Sequence, residues 1–156
     1  MDFETISPEN INDDTIRDFL TLGAVDFDHH EGIYVTGHDY NFWVKIHDHR
    51  HLLVLWSYHD LADGVDELDA LKFCNKANKD KIMLQFSVSK DRLYAYYSFP
   101  YAPVGLAAQT VLKLCQNFSG IMSKVVDEGM DAGILESCPQ SSREAASDDA
   151  QHETKH

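Results

Sequence analysis

A chain of 156 residues that is 44% hydrophobic, with 8 Phe, 7 Tyr and 2 Trp, is too apolar to remain unfolded and has the length of one core. Its 26 Asp and Glu against 13 Lys and Arg give a net charge of -13, which repels phosphate backbones and anionic lipid, so neither nucleic acid nor a membrane is an expected partner. Cys74, Cys115 and Cys138 are scattered with no CxxC spacing, the N-terminus lacks a basic start and an apolar stretch, and no apolar run reaches spanning length, so the expected compartment is a reducing cytoplasm.

In chain order, "INDDTIRDFLTLG" predicts a short amphipathic helix with Ile16, Phe19 and Leu20 on one stripe, capped by Asn12 or Asp13 and stopped at Gly23. From Ala24 to Tyr58 the period falls to two. An approach "AVDFDHH" leads into three strands, "IYVT", "YNFWVKI" and "LLVLWSY", broken at Glu31-Gly32, Gly37-His38-Asp39 and Asp48-His49-Arg50. Breaks this short require antiparallel hairpins. "VDELDALKFCNKAN" returns to helical spacing, with Leu68, Leu71 and Cys74 on one side. "KIMLQFSV" and "RLYAYYSF" form a hairpin around Lys90-Asp91, with Ile82, Leu84, Phe86 and Val88 on one face. Pro100 and Pro103 end the strands, and a helix is expected from about Val104 to Asp127, carrying two adjacent apolar rows. One row is Val104, Ala108, Val111, Cys115, Phe118, Met122 and Val125; the other is Ala107, Leu114 and Ile121. Gly120 in its middle marks either a tolerated glycine or the close approach of another backbone or ring. The prediction is one α+β domain over residues 1–136, an antiparallel sheet with helices packed against it in the order α-β-β-β-α-β-β-α. Residues 137–156, without periodicity, are expected to be a disordered polar tail.

The meander places His29, His30, Glu31, His47, Asp48, His49 and His51 at one end of the sheet, and His38, Asp39, His59 and Asp60 at the other. A metal site would need three or four of these to converge; the turn between His47 and His51 scatters their directions, and no HExxH or paired-cysteine pattern fixes them. A solvated polar tip is the expectation. A metal-binding or metal- or pH-sensing role for this end is the alternative function. No phosphate loop, dinucleotide fingerprint or nucleophile motif is present, so neither catalysis nor a cofactor is expected. Asn75 and Asn78 fall within the apolar arc of their helix, and a buried amide there must bond neighbouring backbone or cap the helix.

Strand parity puts Tyr94, Tyr96 and Ser98 opposite Leu93, Tyr97 and Phe99, and Trp43 and Lys45 opposite Phe42, Val44 and Ile46; Met83, Gln85 and Ser87 are read the same way. If helices cover one sheet face only, this second face is an aromatic surface suited to an extended peptide or another subunit. The two apolar rows of the last helix fit either a deeply buried helix or one shared between the sheet and a partner subunit; on the second reading the expected protein-binding residues are Trp43, Lys45, Met83, Tyr94 and Tyr96 on the sheet and Val111, Leu114, Phe118, Ile121 and Met122 on that helix.

The segments "IRDFLTLGA" and "LDALKFCNKANKDKIMLQFSVSKDRLYAYYSF", followed by the long terminal helix, resemble the YbjN family of bacterial proteins over roughly residues 11 to 128. That family is described as sensory transduction regulators, with a fold similar to type III secretion chaperones. The resemblance implies a cytoplasmic, often dimeric domain with no established catalytic residues and a chaperone-like or regulatory protein-binding role, and a homodimer is the expected state. The expected partners are thus a second copy and an unidentified protein or peptide, to which the net charge adds a preference for basic surfaces.

Overall fold

The structure is a computed structural model and describes residues 4–137; the expected tail and Cys138 lie outside the described residues. The first helix, α1 (Asp13–Leu22), starts where its cap dictates: the Asn12 side chain accepts from the Thr15 N–H at 3.1 Å, and the Thr15 hydroxyl accepts from the Asn12 N–H at 3.2 Å. Asp13 and Asp14 complement the positive end of the helix, which stops at Gly23. A Cβ at Gly23 would collide with the Leu112 side chain, so the glycine lets α1 sit against the terminal helix.

Six antiparallel strands follow: β2 (Phe27–His29), β3 (Ile33–Val35), β4 (Phe42–His47), β5 (Leu52–Asp60), β6 (Gln85–Ser89) and β7 (Arg92–Pro100), in the spatial order β2-β3-β4-β5-β7-β6. A separate ribbon pairs β1 (Thr5–Ile6) with β8 (Leu106–Ala107). The approach segment is thus a strand in its own right, because Phe27, Asp28 and His29 pair with Val35, Tyr34 and Ile33.

Two helices complete the layer opposite the sheet, α2 (Glu67–Asp80) and α3 (Ala108–Asp131). From α1, Ile16, Phe19 and Leu20 join Cys74 and Ala77 of α2 and Val111, Cys115, Phe118, Met122 and Val125 of α3 in one core. They meet the inner sheet residues Ile33, Val35, Phe42, Val44, Leu53, Leu55, Leu93 and Ala95, with the Phe42 and Phe118 rings 5.2 Å apart.

Helix α3 begins four residues later than its apolar spacing indicates. Gly105, at φ +99°, packs against the Ile6 carbonyl where no Cβ fits, and the chain must first pair Leu106 and Ala107 with β1. Val104 is left 78% exposed. Likewise Ile82 is 95% exposed, because β6 starts only at Gln85.

On α2 the inward side is Ala70, Cys74 and Ala77, while Leu68 and Leu71 are 58% and 41% exposed, contrary to the stripe expected from hydrophobicity. Small side chains allow the helix to lie close to the sheet margin. There Asn78 accepts from the Phe86 N–H at 2.7 Å and donates to the Phe86 carbonyl at 2.9 Å. One side-chain amide thereby substitutes for the missing strand next to β6 and closes that edge.

The segment just after α3 packs against the far end of β5. Ala62 N–H donates to the Ile134 carbonyl at 2.8 Å, Glu136 N–H donates to the Asp60 carbonyl at 3.0 Å, and Leu135 is buried between. Gly129 in α3 makes room for it, since a Cβ there would collide with Leu135. The buried His59 donates from Nε2 to the Glu136 carbonyl at 2.7 Å and shares a 2.6 Å hydrogen bond between Nδ1 and the Tyr40 hydroxyl. Ser119, mid-helix and buried, accepts from the Tyr40 N–H at 2.8 Å and donates to the Tyr40 carbonyl at 3.0 Å, fastening the β3–β4 connection to α3. Among the described residues no helix is long and apolar enough to cross a membrane.

Candidate protein-binding face

Because side chains alternate along a strand, the register of the sheet decides what its outer face carries. Trp43 lies opposite Tyr34 on one side and Trp56 on the other; Trp56 lies opposite Tyr96, and Tyr96 opposite Gln85. Tyr34, Trp43, Trp56 and Tyr96 therefore make a row of rings across four adjacent strands. A second row, Tyr58 opposite Tyr94, lies next to it.

The rings touch. The Trp43 and Trp56 centroids are 4.5 Å apart and inclined by 15°, Trp43 and Tyr58 are 5.8 Å apart at 12°, and Tyr34 sits 4.5 Å from Trp43. Tyr58 and Tyr94 are 6.0 Å apart, and Tyr94 and Tyr96 are 6.2 Å apart. Each such contact contributes about 0.5–1.5 kcal/mol beyond simple burial. The Trp43 Nε1–H donates to the His30 carbonyl at 2.9 Å, which pins the β2–β3 turn beside the indole.

Tyr34 and Trp43 are buried at 2% and 6% exposure yet lie outside the helix-side core; the neighbouring rings and the turn cover them. Trp56, Tyr58 and Tyr94 are half-buried, and Tyr96 is 36% exposed. Burial, and then the neighbouring Tyr94, push the Tyr96 hydroxyl above its usual pKa.

Arg92 closes one end of the face. Its guanidinium carbon stands 4.2 Å over the Tyr58 ring while Nε is 3.1 Å from an Asp60 carboxylate oxygen. At the other end a groove of about 460 Å³ runs past Trp43, Lys45, His47, Val54, Trp56 and Tyr96, with Asp13 and Glu31 on its margin. Strand β3 makes its last pair at Ile33 opposite Val44, so from Lys45 to His47 strand β4 has no strand neighbour on that side among the described residues.

The structure separates the ten residues expected to bind a partner. Lys45, Tyr94 and Tyr96 are on the outer face with accessible surface, and Trp43 is the platform beneath it. Met83 precedes β6 and packs toward the core instead. Val111, Phe118 and Met122 have 0% exposure and are filled in by their own chain, so they are corrected from contact surface to core. Leu114 and Ile121 are half-buried against the same core. The exposed residues of α3, among them Gln109, Lys113, Gln116, Asn117, Lys124 and Asp127, make a polar surface. Gly120 is exposed, and among the described residues nothing lies within 4 Å of where its Cβ would stand. Trp56 and Tyr58, unnamed at first, are the rings that join the two ends; alternation against Leu53 and Leu55 in "LLVLWSY" is the signal that reveals them.

The histidine-rich end is a turn. His47 closes β4, Asp48–Arg50 forms one turn of 3-10 helix, and His51 takes the left-handed conformation at φ 49°. Among the described residues no group of three or more His, Cys, Asp or Glu is placed to hold a metal ion. His38 at the opposite end stacks 6.3 Å from Phe42, and burial, opposed by Asp39, holds its pKa below the ordinary imidazole value. Burial also pushes the Cys115 thiol up to about 12 and raises Cys74, so both behave as small apolar side chains and not as thiolates.

No protein-family model matches the chain, and no curated protein is similar to it in sequence. Among solved structures, the crystal structure of YbjN, described as "a putative transcription regulator from E. coli", superposes on 83% of this chain and 97% of its own with a TM-score of 0.71. The identity is 11%, so the likeness is one of architecture: this chain has the YbjN-like α+β fold.

Proposed function

We propose that the chain is a non-enzymatic protein-binding module that takes an extended segment of a partner protein across the outer face of its sheet, in a regulatory or chaperone-like role in the cytoplasm. The observation that carries this is the aromatic row Tyr34, Trp43, Trp56 and Tyr96, in register across four adjacent strands on the sheet face away from the helical core. The half-buried Trp56, Tyr58 and Tyr94 and the exposed Tyr96, set on the buried Tyr34 and Trp43, offer contact area on a preformed sheet at little cost in conformational entropy. A regulatory role agrees with the description of the YbjN structure, whose architecture this chain shares.

A second copy of the chain is the competing occupant. The outward side of α3 gives it no apolar stripe, and two bodies of charge -13 repel one another, which favours a different, more basic partner.

The test is quantitative capture from the native cell with wild type and a Trp56→Ser/Tyr96→Ser variant, followed by titration of the purified captured protein. The expected result is a loss of affinity of at least about tenfold in a variant that still unfolds cooperatively. Equal affinity would refute the reading. Light scattering of the free protein is expected to give a monomer; a dimer that the double variant dissociates would hand the face to a second copy.

A further inference from the structure

We infer that the groove at the Lys45 end of this face is a seat for an arginine side chain presented by the bound segment, an inference that rests on the protein-binding reading above. The molecule already shows the chemistry on its own side chain. At the opposite end of the same face Arg92 lies flat over Tyr58 at 4.2 Å and is held by Asp60 at 3.1 Å, an aromatic ring below and a carboxylate beside one guanidinium. The groove repeats both components. The half-buried Trp56, stacked on the buried Trp43, and the exposed Tyr96 line it, and so do Asp13 and Glu31.

Among the described residues no cation stacks on Trp56 or Tyr96. Lys45 is the groove's own positive group; it is exposed and makes no ion pair among the described residues, and His47 lies next to it. The stretch of β4 from Lys45 to His47, unpaired beyond β3, runs along the same groove and suits a partner in extended conformation. The charge of -13 adds a long-range attraction for a cationic segment, but the ring-plus-carboxylate pair makes the preference local and specific to a planar cation.

The experiment uses a fluorescein-labelled peptide alternating arginine and threonine, and the same peptide with citrulline, an uncharged isostere, in place of arginine. Anisotropy titrations are made at physiological salt with the full chain. The arginine peptide is expected to bind about tenfold or more tightly than the citrulline peptide. Glu31→Gln is expected to weaken it several-fold, Lys45→Gln to tighten it, and Asp127→Asn, an equal change of charge on the exposed side of α3, to leave it nearly unchanged. Absence of binding, equal binding of the two peptides, or equal weakening by Glu31→Gln and Asp127→Asn overturns the inference. If both peptides bind alike and Trp56→Ser abolishes both, the arginine seat falls and the protein-binding face stands; if Trp56→Ser changes neither, both fall.

Discussion

Two glycines in α3 show how differently one residue type can be used. Gly129 lies where a Cβ would collide with Leu135 and stand 3.0 Å from the Phe73 ring, whereas Gly120 is exposed with nothing in reach. Gly129→Ala should therefore cost about 1–3 kcal/mol by overpacking and loosen the segment after α3. Gly120→Ala should stabilise by about 0.5–1 kcal/mol, since alanine loses less backbone entropy in a helix. Urea denaturation of both variants checks the pair, and a reversal of sign would mean α3 packs differently. His38 supplies a pH dependence. Its pKa is lowered in the folded protein from the ordinary 6.5, so the unfolded chain takes up the proton first. The stability its neutral form contributes is complete above the unfolded value and is lost as pH falls through it toward the folded one. The wild type is expected to lose more stability than His38→Gln between pH 7.5 and 5.5, measured as the difference between their urea midpoints. Neither behaviour is legible in the sequence: Gly129 depends on the chain folding back after α3 to bring Leu135 to it and on Phe73 from α2, and His38, although Asp39 and Phe42 are near it in sequence, owes its shift to a burial that only the fold sets.

Periodicity locates all three helices and the paired hairpins because it reports which side chains must leave water, and it fails where a small residue or a hydrogen bond decides the packing. Helix α2 is the instructive case. Its leucines, the strongest hydrophobic signal, are exposed, and Ala70, Cys74 and Ala77 lie inward so that the backbone can approach β6. Asn78 is exposed, contrary to the burial its place in the apolar arc suggests, yet its amide still bonds neighbouring backbone at Phe86, the role expected of an amide there. Asn78→Leu should leave the Phe86 N–H and carbonyl without that partner and cost about 1–3 kcal/mol. It should also open the β6 edge, so that the variant aggregates during thermal unfolding faster than wild type. A variant with an unchanged urea midpoint would show that the amide does not close the edge. The start of α3 is another limit of periodicity, since the apolar repeat continues through Val104 while Gly105 and the β1–β8 pair forbid helix there.

At the scale of the whole molecule, three helices packed on one face of a six-stranded sheet leave the aromatic row on the other. Parity alone puts Trp43, Lys45, Tyr94 and Tyr96 on that face, but the row Tyr34–Trp43–Trp56–Tyr96 requires the registers, which depend on turns such as the left-handed His51. The apolar width of α3 is misleading for a related reason: α1, the sheet and the segment after the helix surround it, so Val111, Phe118 and Met122 are spent inside the chain. Partner contact therefore belongs to the sheet and not to the helix. Hydroxyl-radical footprinting of the complex with the captured partner tests that assignment most directly. Oxidation of Trp56 and Tyr96 is predicted to fall on binding while the outward side of α3 stays as reactive as in the free protein; protection confined to α3, with both rings still oxidised, would contradict it.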